Sequence, residues 1–240
     1  MEPTTQAGAG RFVLSDPGAL SSRAQQFLRQ QASRRPFDGG LSGDLLRRAI
    51  GEVYDKPNER MVSLLEWAQT RYGGLTYPSG FFDAEVVFTP VCEPEDALVQ
   101  LEISHVVQTG TPAVASLSAD GTVFIGVDGH GVAEFATLDA VIECDSMFPA
   151  ASQMAATMTS YLGSVAHLLT LADFLRVENP LGLREITEAR GARTFWFASR
   201  SAMLYLCGAW SALGRAVPPK VMAWGVNDSS LTAVHHLIWR

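Results

Sequence analysis

The most informative absence in this chain of 240 residues is that of lysine and arginine between Tyr72 and Leu175. The same stretch holds 13 acidic residues, so its carboxylates have no basic neighbour within it. Because burying an unpaired carboxylate costs several kcal/mol, we expect these side chains to face water and to create a strong negative potential. They are Asp83, Glu85, Glu93, Glu95, Asp96, Glu102, Asp120, Asp128, Glu134, Asp139, Glu143, Asp145 and Asp173.

The charge of the whole chain restricts its partners. The formal net charge is −7. Nucleic acid and anionic membranes repel such a chain, so neither is predicted as its main partner. An anionic surface instead attracts a basic macromolecule and accelerates its association. The alternative is a solvated face that only keeps the protein soluble.

Cysteine is scarce and carries no motif. Cys92, Cys144 and Cys207 are odd in number, widely spaced and form no C-x-x-C pair. This usage is typical of a reducing compartment with buried thiols, and it predicts a cytoplasmic protein. The first ten residues lack a basic segment and an apolar segment, so they indicate a disordered tail rather than a signal peptide.

One long stretch without charged residues could be either a membrane span or a helix of a globular core. No charged residue occurs from Ser146 to Ala172, a length that could cross a bilayer. Serines, threonines and His167 interrupt it, and its apolar residues recur every three or four positions. This spacing predicts a long amphipathic helix packed on a core rather than a membrane span.

Recognisable catalytic motifs are missing as well. The chain has no phosphate-binding P-loop, no G-x-S-x-G, no H-E-x-x-H and no zinc-deaminase signature. His130, near Asp128 in a glycine-rich turn, is the one histidine with a plausible acid–base setting, and an ordinary turn is the favoured interpretation of it. We therefore predict no catalytic residue, no metal site and no cofactor.

Helical patterns dominate the beginning of the chain. Apolar spacing predicts helices over residues 19–33 and 41–53 and a third helix that ends at Tyr72. Gly73 and Gly74 follow this third helix directly. Glycine after a last turn supplies the left-handed conformation that stops a helix.

The pattern then changes to the period of two that is typical of strands. Strands are predicted over residues 81–88 and 101–107, with an acidic helical turn at 93–98 between them. Short Asp-Gly turns separate three further strands at 113–118, 122–127 and 132–136, which indicates an antiparallel meander. Thr137 is predicted to cap a following helix that runs to Asp145.

The remaining segments are predicted from weaker patterns. Residues 147–149 are interpreted as a link to the long helix described above. Residues 183–189 and 199–213 are predicted as helices, and residues 221–226 and 232–239 as strands.

These elements predict an α+β fold. It consists of an antiparallel sheet with N-terminal helices, a long helix packed after the meander and a C-terminal α/β extension. The predicted organisation is a tail at residues 1–10, a domain at 11–175 and an extension at 176–240 that packs on the same core.

Two sequence motifs carry a resemblance to a known family. The first is the helix end Arg71-Tyr72-Gly73-Gly74-Leu75 with Tyr77-Pro78-Ser79-Gly80 and a strand after it. The second is the run from Gly121 to Ala136, which a helix follows. Together they resemble the SUKH superfamily. The resemblance covers about residues 58–145. It implies an α+β domain and the role of a bacterial immunity protein, which binds and inactivates a toxin that is often a nuclease or deaminase.

The resemblance and the charge pattern lead to one main hypothesis. Nucleic-acid-directed toxins tend to be basic, so a carboxylate-rich surface would suit an inhibitor that occludes the toxin's active site. The predicted partner-contact residues are Asp83, Glu85, Glu93, Glu95, Asp96, Asp128 and Glu134.

Two other hypotheses stay open at this point. An enzyme with a dispersed active site would bring His105 or His130 together with a carboxylate in a pocket. A self-associating module, for example a homodimer, would expose Phe195, Trp196, Phe197 and Trp210 together as an apolar patch.

Overall fold

The computed structural model describes most of the chain as two compact units. The described residues are 11–39, 41–54, 59–91, 105–109, 113–127, 130–178, 180–214 and 217–239. The first unit comprises Met1–Leu20 and Gln25–Gly129, and the second comprises Ser21–Ala24 and His130–Arg240. The division therefore falls at Gly129, whereas the sequence boundary at residue 175 lies within a helix. The predicted tail at residues 1–10 lies outside the described residues.

Three helices open the chain where the apolar spacing predicted them. They are α1 at Ser22–Gln31, α2 at Gly43–Tyr54 and α3 at Glu59–Tyr72. In the first unit, α2 and α3 enclose a small apolar core of Leu46, Ile50, Met61, Val62 and Leu65.

The strands of the first unit form an antiparallel sheet in chain order. They are β1 at Ser33–Arg34, β2 at Leu75–Ser79, β3 at Ala84–Val87, β4 at His105–Thr109, β5 at Ala113–Leu117 and β6 at Val123–Val127. Each pairs antiparallel with the next. The meander prediction for residues 113–136 is confirmed for its first two strands, since β5 and β6 pair antiparallel across the short turn at Asp120 and Gly121.

The end of α3 shows why two glycines occur there. A side chain at Gly73 would collide with the Phe37 ring and the carbonyl of Gln69. Gly74 has a φ of 80°, and a side chain there would strike the backbone carbonyl of Arg35. The segment that follows β1 thus approaches the residues after α3 so closely that only glycine fits.

The second unit begins with β7 at His130–Phe135 and contains a five-stranded antiparallel sheet. Its helices are α4 at Leu138–Ala151, α5 at Val165–Glu178 and α6 at Asp228–Ile238. Its other strands are β8 at Ala156–Tyr161, β9 at Arg184–Glu185, β10 at Thr194–Ala198, β11 at Ala202–Cys207 and β12 at Lys220–Gly225. The order across the sheet is β8-β12-β11-β10-β9. Short 3₁₀ turns occupy Pro180–Gly182, Thr187–Ala189 and Trp210–Leu213.

One face of this second sheet holds the main apolar core. Phe195, Phe197, Leu204 and Leu206 on the sheet pack with buried residues of α5 and α6. Both sheets are antiparallel and helices precede and follow the strands, so the predicted α+β class is confirmed.

Several predictions for the second half of the chain are wrong. The single long helix at 146–172 is replaced by the end of α4, strand β8 and the start of α5. The link at 147–149 lies inside α4, which contains Pro149. The predicted helix at 199–213 is strand β11 followed by a 3₁₀ turn, and the predicted strand at 232–239 is helix α6. None of the helices among the described residues is long and apolar enough to span a membrane.

Candidate functional site

The hairpin between β2 and β3 presents two of the predicted contact residues. Asp83 is exposed in the turn with a φ of 54°, a left-handed conformation that aspartate tolerates better than most residues. Glu85 follows on β3, opposite Pro78 of β2. The sequence prediction that these carboxylates face water is therefore confirmed for Asp83 and Glu85.

Glu85 is partly compensated by a base from outside the basic-free stretch. Its Oε2 lies 2.7 Å from Nη2 of Arg35, and the two side chains are 55% and 49% exposed respectively. Its Oε1 accepts a hydrogen bond of 3.2 Å from the Thr76 hydroxyl. Exposed ion pairs of this kind contribute little to stability, but the guanidinium lowers the negative potential around Glu85.

Four of the other predicted contact residues cannot be placed. Glu93, Glu95, Asp96 and Asp128 lie outside the described residues, as does the predicted helical turn at 93–98.

Glu134, the last of the predicted contact residues, is buried. Its prediction as an exposed loop residue is wrong, because it lies in β7 and is only 3% exposed. Its Oε1 accepts a hydrogen bond of 3.0 Å from the backbone N–H of Arg193, and its Oε2 lies 3.8 Å from Nη1 of the same residue. Its own carbonyl accepts from the N–H of Ala192 at 2.6 Å. Glu134 therefore holds the loop before β10 and does not face a partner.

Burial of Glu134 has an electrostatic consequence. Desolvation raises the pKa of this carboxyl above its ordinary value, and hydrogen bonds from Thr194 and Arg193 offset this only in part. Gly191 lies directly against the carboxylate, where no side chain would fit.

A second buried carboxylate, Glu143 of α4, holds the beginning of α1. It accepts hydrogen bonds from the backbone N–H of Ser21 at 2.5 Å and from the Ser21 hydroxyl at 2.7 Å. Nη2 of Arg23 lies 2.7 Å from Glu143, and its Nε donates to the hydroxyl of Ser146 at 2.9 Å. Ser21 in turn caps α1 by accepting from the N–H of Ala24. All of these groups belong to the second unit, and no local sequence signal predicts their meeting.

Polar and aromatic side chains also meet on the sheet face that lies opposite the main core of the second unit. Phe148 of α4 packs edge-on against Trp196 and Tyr205, with ring centroids 4.9 and 5.0 Å away. Trp196 stacks on Trp224 at 5.4 Å. Trp196 is buried in this aromatic cluster, whereas Phe195 and Phe197 are buried in the main core on the other face of the sheet. Each of the three is at most 1% exposed, so the exposed patch that the self-association hypothesis expected from them together with Trp210 does not form.

Two cysteines lie in the same region, and neither has the environment of a nucleophile. Burial, with the charge of Asp145 next, raises the pKa of the Cys144 thiol well above its usual range. Burial also raises the pKa of Cys207, whose sulfur is 3.9 Å from the Thr194 hydroxyl. Since the thiolate is the reactive form, both groups are poor nucleophiles. Cys92 lies outside the described residues.

The general expectation that the middle carboxylates face water is therefore wrong in part. Glu134, Glu143 and Asp145 are buried. Arginines from outside the basic-free stretch pair with several of its acids, in the pairs Arg35–Glu85, Arg193–Glu134, Arg23–Glu143 and Arg176–Asp173. These pairs compensate part of the negative charge that the linear sequence indicated.

The histidines supply no visible metal site. His105 lies on β4 and His130 on β7, and the pocket predicted around one of them depends on side chains outside the described part of the structure. His167 on α5 is exposed, and His235 and His236 lie on α6 with ring centroids 6.0 Å apart. No group of three or more metal-ligating side chains occurs within the portion of the chain that the structure describes.

Comparisons of the chain with protein-family models, with curated proteins and with solved structures found no match. Membership of the SUKH superfamily therefore stays a prediction from the sequence motifs.

Proposed function

We propose that this protein binds and neutralises a basic toxin of the nuclease or deaminase class, as the immunity proteins that it resembles do. The observation that carries the proposal is the exposed pair Asp83 and Glu85 on the β2–β3 hairpin. This hairpin directly follows the α3–Gly73–Gly74 segment on which the resemblance rests.

The chemistry of the hairpin suits such a partner. Asp83 and Glu85 carry carboxylates two positions apart in the chain. The guanidinium of Arg35 lies against the carboxylate of Glu85. Active clefts that bind nucleic acid are lined by basic side chains, so an acidic hairpin is complementary to them. The acidic residues Glu93, Glu95 and Asp96 follow along the chain and would add to the same charge.

The buried acids and thiols favour binding over catalysis. Glu134 and Glu143 accept hydrogen bonds from backbone N–H groups of their own unit, which is a structural use of a carboxylate. Cys144 and Cys207 hold their protons at neutral pH because burial raises their pKa values. These four buried groups, two carboxylates and two thiols, thus have structural roles rather than the environment of catalytic groups.

The test is a panel of purified basic nuclease and deaminase toxin domains in catalytically inactive form. We expect the protein to bind at least one member and to restore growth of cells that express the active toxin. A panel in which no toxin is bound and no growth is restored would remove the proposal.

The electrostatic part has its own test against the toxin that binds. The double variant Asp83→Lys, Glu85→Lys should lower the association rate constant by about tenfold at low salt and change the dissociation rate much less. The double variant Asp44→Lys, Glu52→Lys is the matched control, since it makes the same change of net charge at two exposed acids of α2. Equal association rates for the double variant and the wild type would exclude the hairpin as the steering surface.

A further inference from the structure

The two edges of the second sheet are built differently. Strand β9 at one edge has only two residues, Arg184 and Glu185, and both are charged. Short length and charge are the usual means by which proteins prevent an edge strand from pairing with another chain. Strand β8 at the other edge has six residues, Ala-Thr-Met-Thr-Ser-Tyr, with no charge and no proline.

Strand β8 is also regular and accessible. It pairs with β12 over all six residues without a register shift, so no bulge turns the edge away. Thr157, Thr159 and Tyr161 are exposed on one face, and the side chain of Tyr161 belongs to the few large apolar groups that are exposed, at 52%. Such a strand is a template for a further strand.

We propose that β8 pairs antiparallel with β8 of a second copy of this chain, so that two five-stranded sheets join into one. The two copies are related by a two-fold axis perpendicular to the sheet, so the same face of both sheets lies on one side of the joined sheet. Residues that lie opposite each other in the two β8 strands must therefore point to the same face. Two registers near the centre of β8 satisfy this condition, with either Met158 or Thr159 opposite itself. We choose the register that places Thr159 opposite Thr159 of the second copy because of the side-chain pairs that it forms.

The side chains fit this register. Thr157 then lies opposite Tyr161 of the second copy on the exposed face, and Met158 lies opposite Ser160 on the other face. Pairs of threonines and pairs of an aromatic with a β-branched residue are favourable across antiparallel strands. Met158 already packs against the apolar core of the second unit, so the pairing would extend that core.

Charge favours a second copy over a foreign chain. The protein carries a formal charge of −7, so two copies repel each other over most of their surface. A strand without charge is the place where two identical acidic molecules can approach at little electrostatic cost. A basic partner would gain nothing from this neutral strand. The inference is independent of the proposed function, because self-association is measured without a toxin.

The experiment measures the mass of the full chain by analytical ultracentrifugation over a range of concentrations. We expect a wild-type dimer whose association constant falls by about tenfold or more in Thr159→Lys and in Thr159→Glu, because each variant places two like charges opposite each other. An equimolar mixture of the two variants should recover the dimer, since lysine then faces glutamate across the axis.

The mixture distinguishes the proposed register from general damage. In the proposed register, Thr159 is the residue that lies opposite itself, and every other residue of β8 lies opposite a different one. Recovery of the dimer in the mixture therefore shows that the two-fold axis passes beside Thr159. Thr170→Lys on the exposed surface of α5 is the control for the charge change and should leave the dimer unchanged. A wild-type monomer, a dimer that persists in both variants or a mixture without recovery would each overturn the proposal.

Discussion

The carboxylate of Glu143 accepts hydrogen bonds from both the backbone N–H and the hydroxyl of Ser21, which lies 122 positions earlier in the chain. Arg23 completes the arrangement at 2.7 Å from the same carboxylate. The side chain of Glu143 is only 5% exposed, so these partners replace the water that an exposed carboxylate would bind.

Removal of this carboxylate should be costly. Glu143→Ala leaves the capping residue Ser21 without the acceptor of its N–H and hydroxyl and leaves Arg23 without its closest partner, so we expect the free energy of unfolding to fall by about 2–4 kcal/mol. Urea unfolding followed by tryptophan fluorescence measures this change. Asp173→Ala is the control, because it breaks an arginine pair whose acid is 72% exposed, and it should cost at most about 1 kcal/mol. Equal losses in the two variants would contradict a special role for Glu143.

Glu134 should make stability depend on pH in the direction opposite to most acids. Because burial raises its pKa above 4.5, the folded state holds a proton that the unfolded state has already lost. The stability that the protonated carboxyl of Glu134 contributes is thus fully present below pH 4.5. It is lost as the pH rises through the pKa of Glu134 in the folded state. Relative to Glu134→Gln, the wild type should lose stability over this rise. Urea midpoints at stepped pH values give the comparison.

Asp120 provides a control of opposite sign. Hydrogen bonds from Ser118 and Thr122 lower the pKa of Asp120 from 3.8 to about 2. Its contribution is therefore present above pH 3.8 and is lost as the pH falls through about 2. The stability difference between wild type and Asp120→Asn should accordingly shrink in acid. A Glu134→Gln profile with the same sign as the Asp120→Asn profile would show that burial does not govern Glu134.

Gly191 should not tolerate a side chain. Alanine there would collide with the Glu134 carboxylate, so we expect Gly191→Ala to cost about 1–3 kcal/mol of stability. Gly163→Ala is the matched control, since open space surrounds Gly163 and the change should be within about 1 kcal/mol of neutral or slightly stabilising. Thermal unfolding of both variants decides the point, and a stable Gly191→Ala protein would mean that the loop before β10 is not closely packed on β7.

The thiols of Cys144 and Cys207 should be inert in the folded protein. In a Cys92→Ser variant, which retains only these two cysteines, we expect no measurable reaction with a chromogenic disulfide reagent until urea unfolds the chain. Both are fully buried and burial raises the pKa of each. Fast labelling of either thiol under native conditions would reopen the hypothesis of a nucleophilic enzyme.

The first half of the fold was predictable because its signals are local. Gly73 and Gly74 stop α3, the turn at Gly121 separates β5 from β6, and Thr137 caps α4 by accepting from the N–H of Ala140. Each of these depends on residues close together in the chain, so the pattern and the structure agree.

The second half was mispredicted because apolar spacing is ambiguous in buried segments. Strand β11 is buried at all six positions, and a continuous apolar run fits a helix and a central strand equally well. For β8, the alternating Thr157 and Thr159 were the signal that the helical interpretation overlooked. For α6, Asn227 was the signal, since it caps the helix by accepting from the N–H of Ser230.

The candidate site was less predictable than the fold because ion pairing is tertiary. Glu134 meets Arg193 across 59 positions, and Glu143 meets Arg23 across 120 positions. No count of charges along the chain reveals such pairs. Exposure was predicted correctly for Asp83 and Glu85, where a short turn and the period of two specify the face of the strand.

Ser21–Ala24 belong to the second unit although they lie far from it in the chain, so this unit cannot be excised as one continuous fragment. A fragment that starts at His130 would retain Glu143 but lack the N–H group, the hydroxyl and the guanidinium that surround its carboxylate. Such a fragment would gain stability from a separate peptide that carries residues 21–24. This stretch of four residues therefore makes the protein a candidate for fragment complementation rather than for simple domain excision.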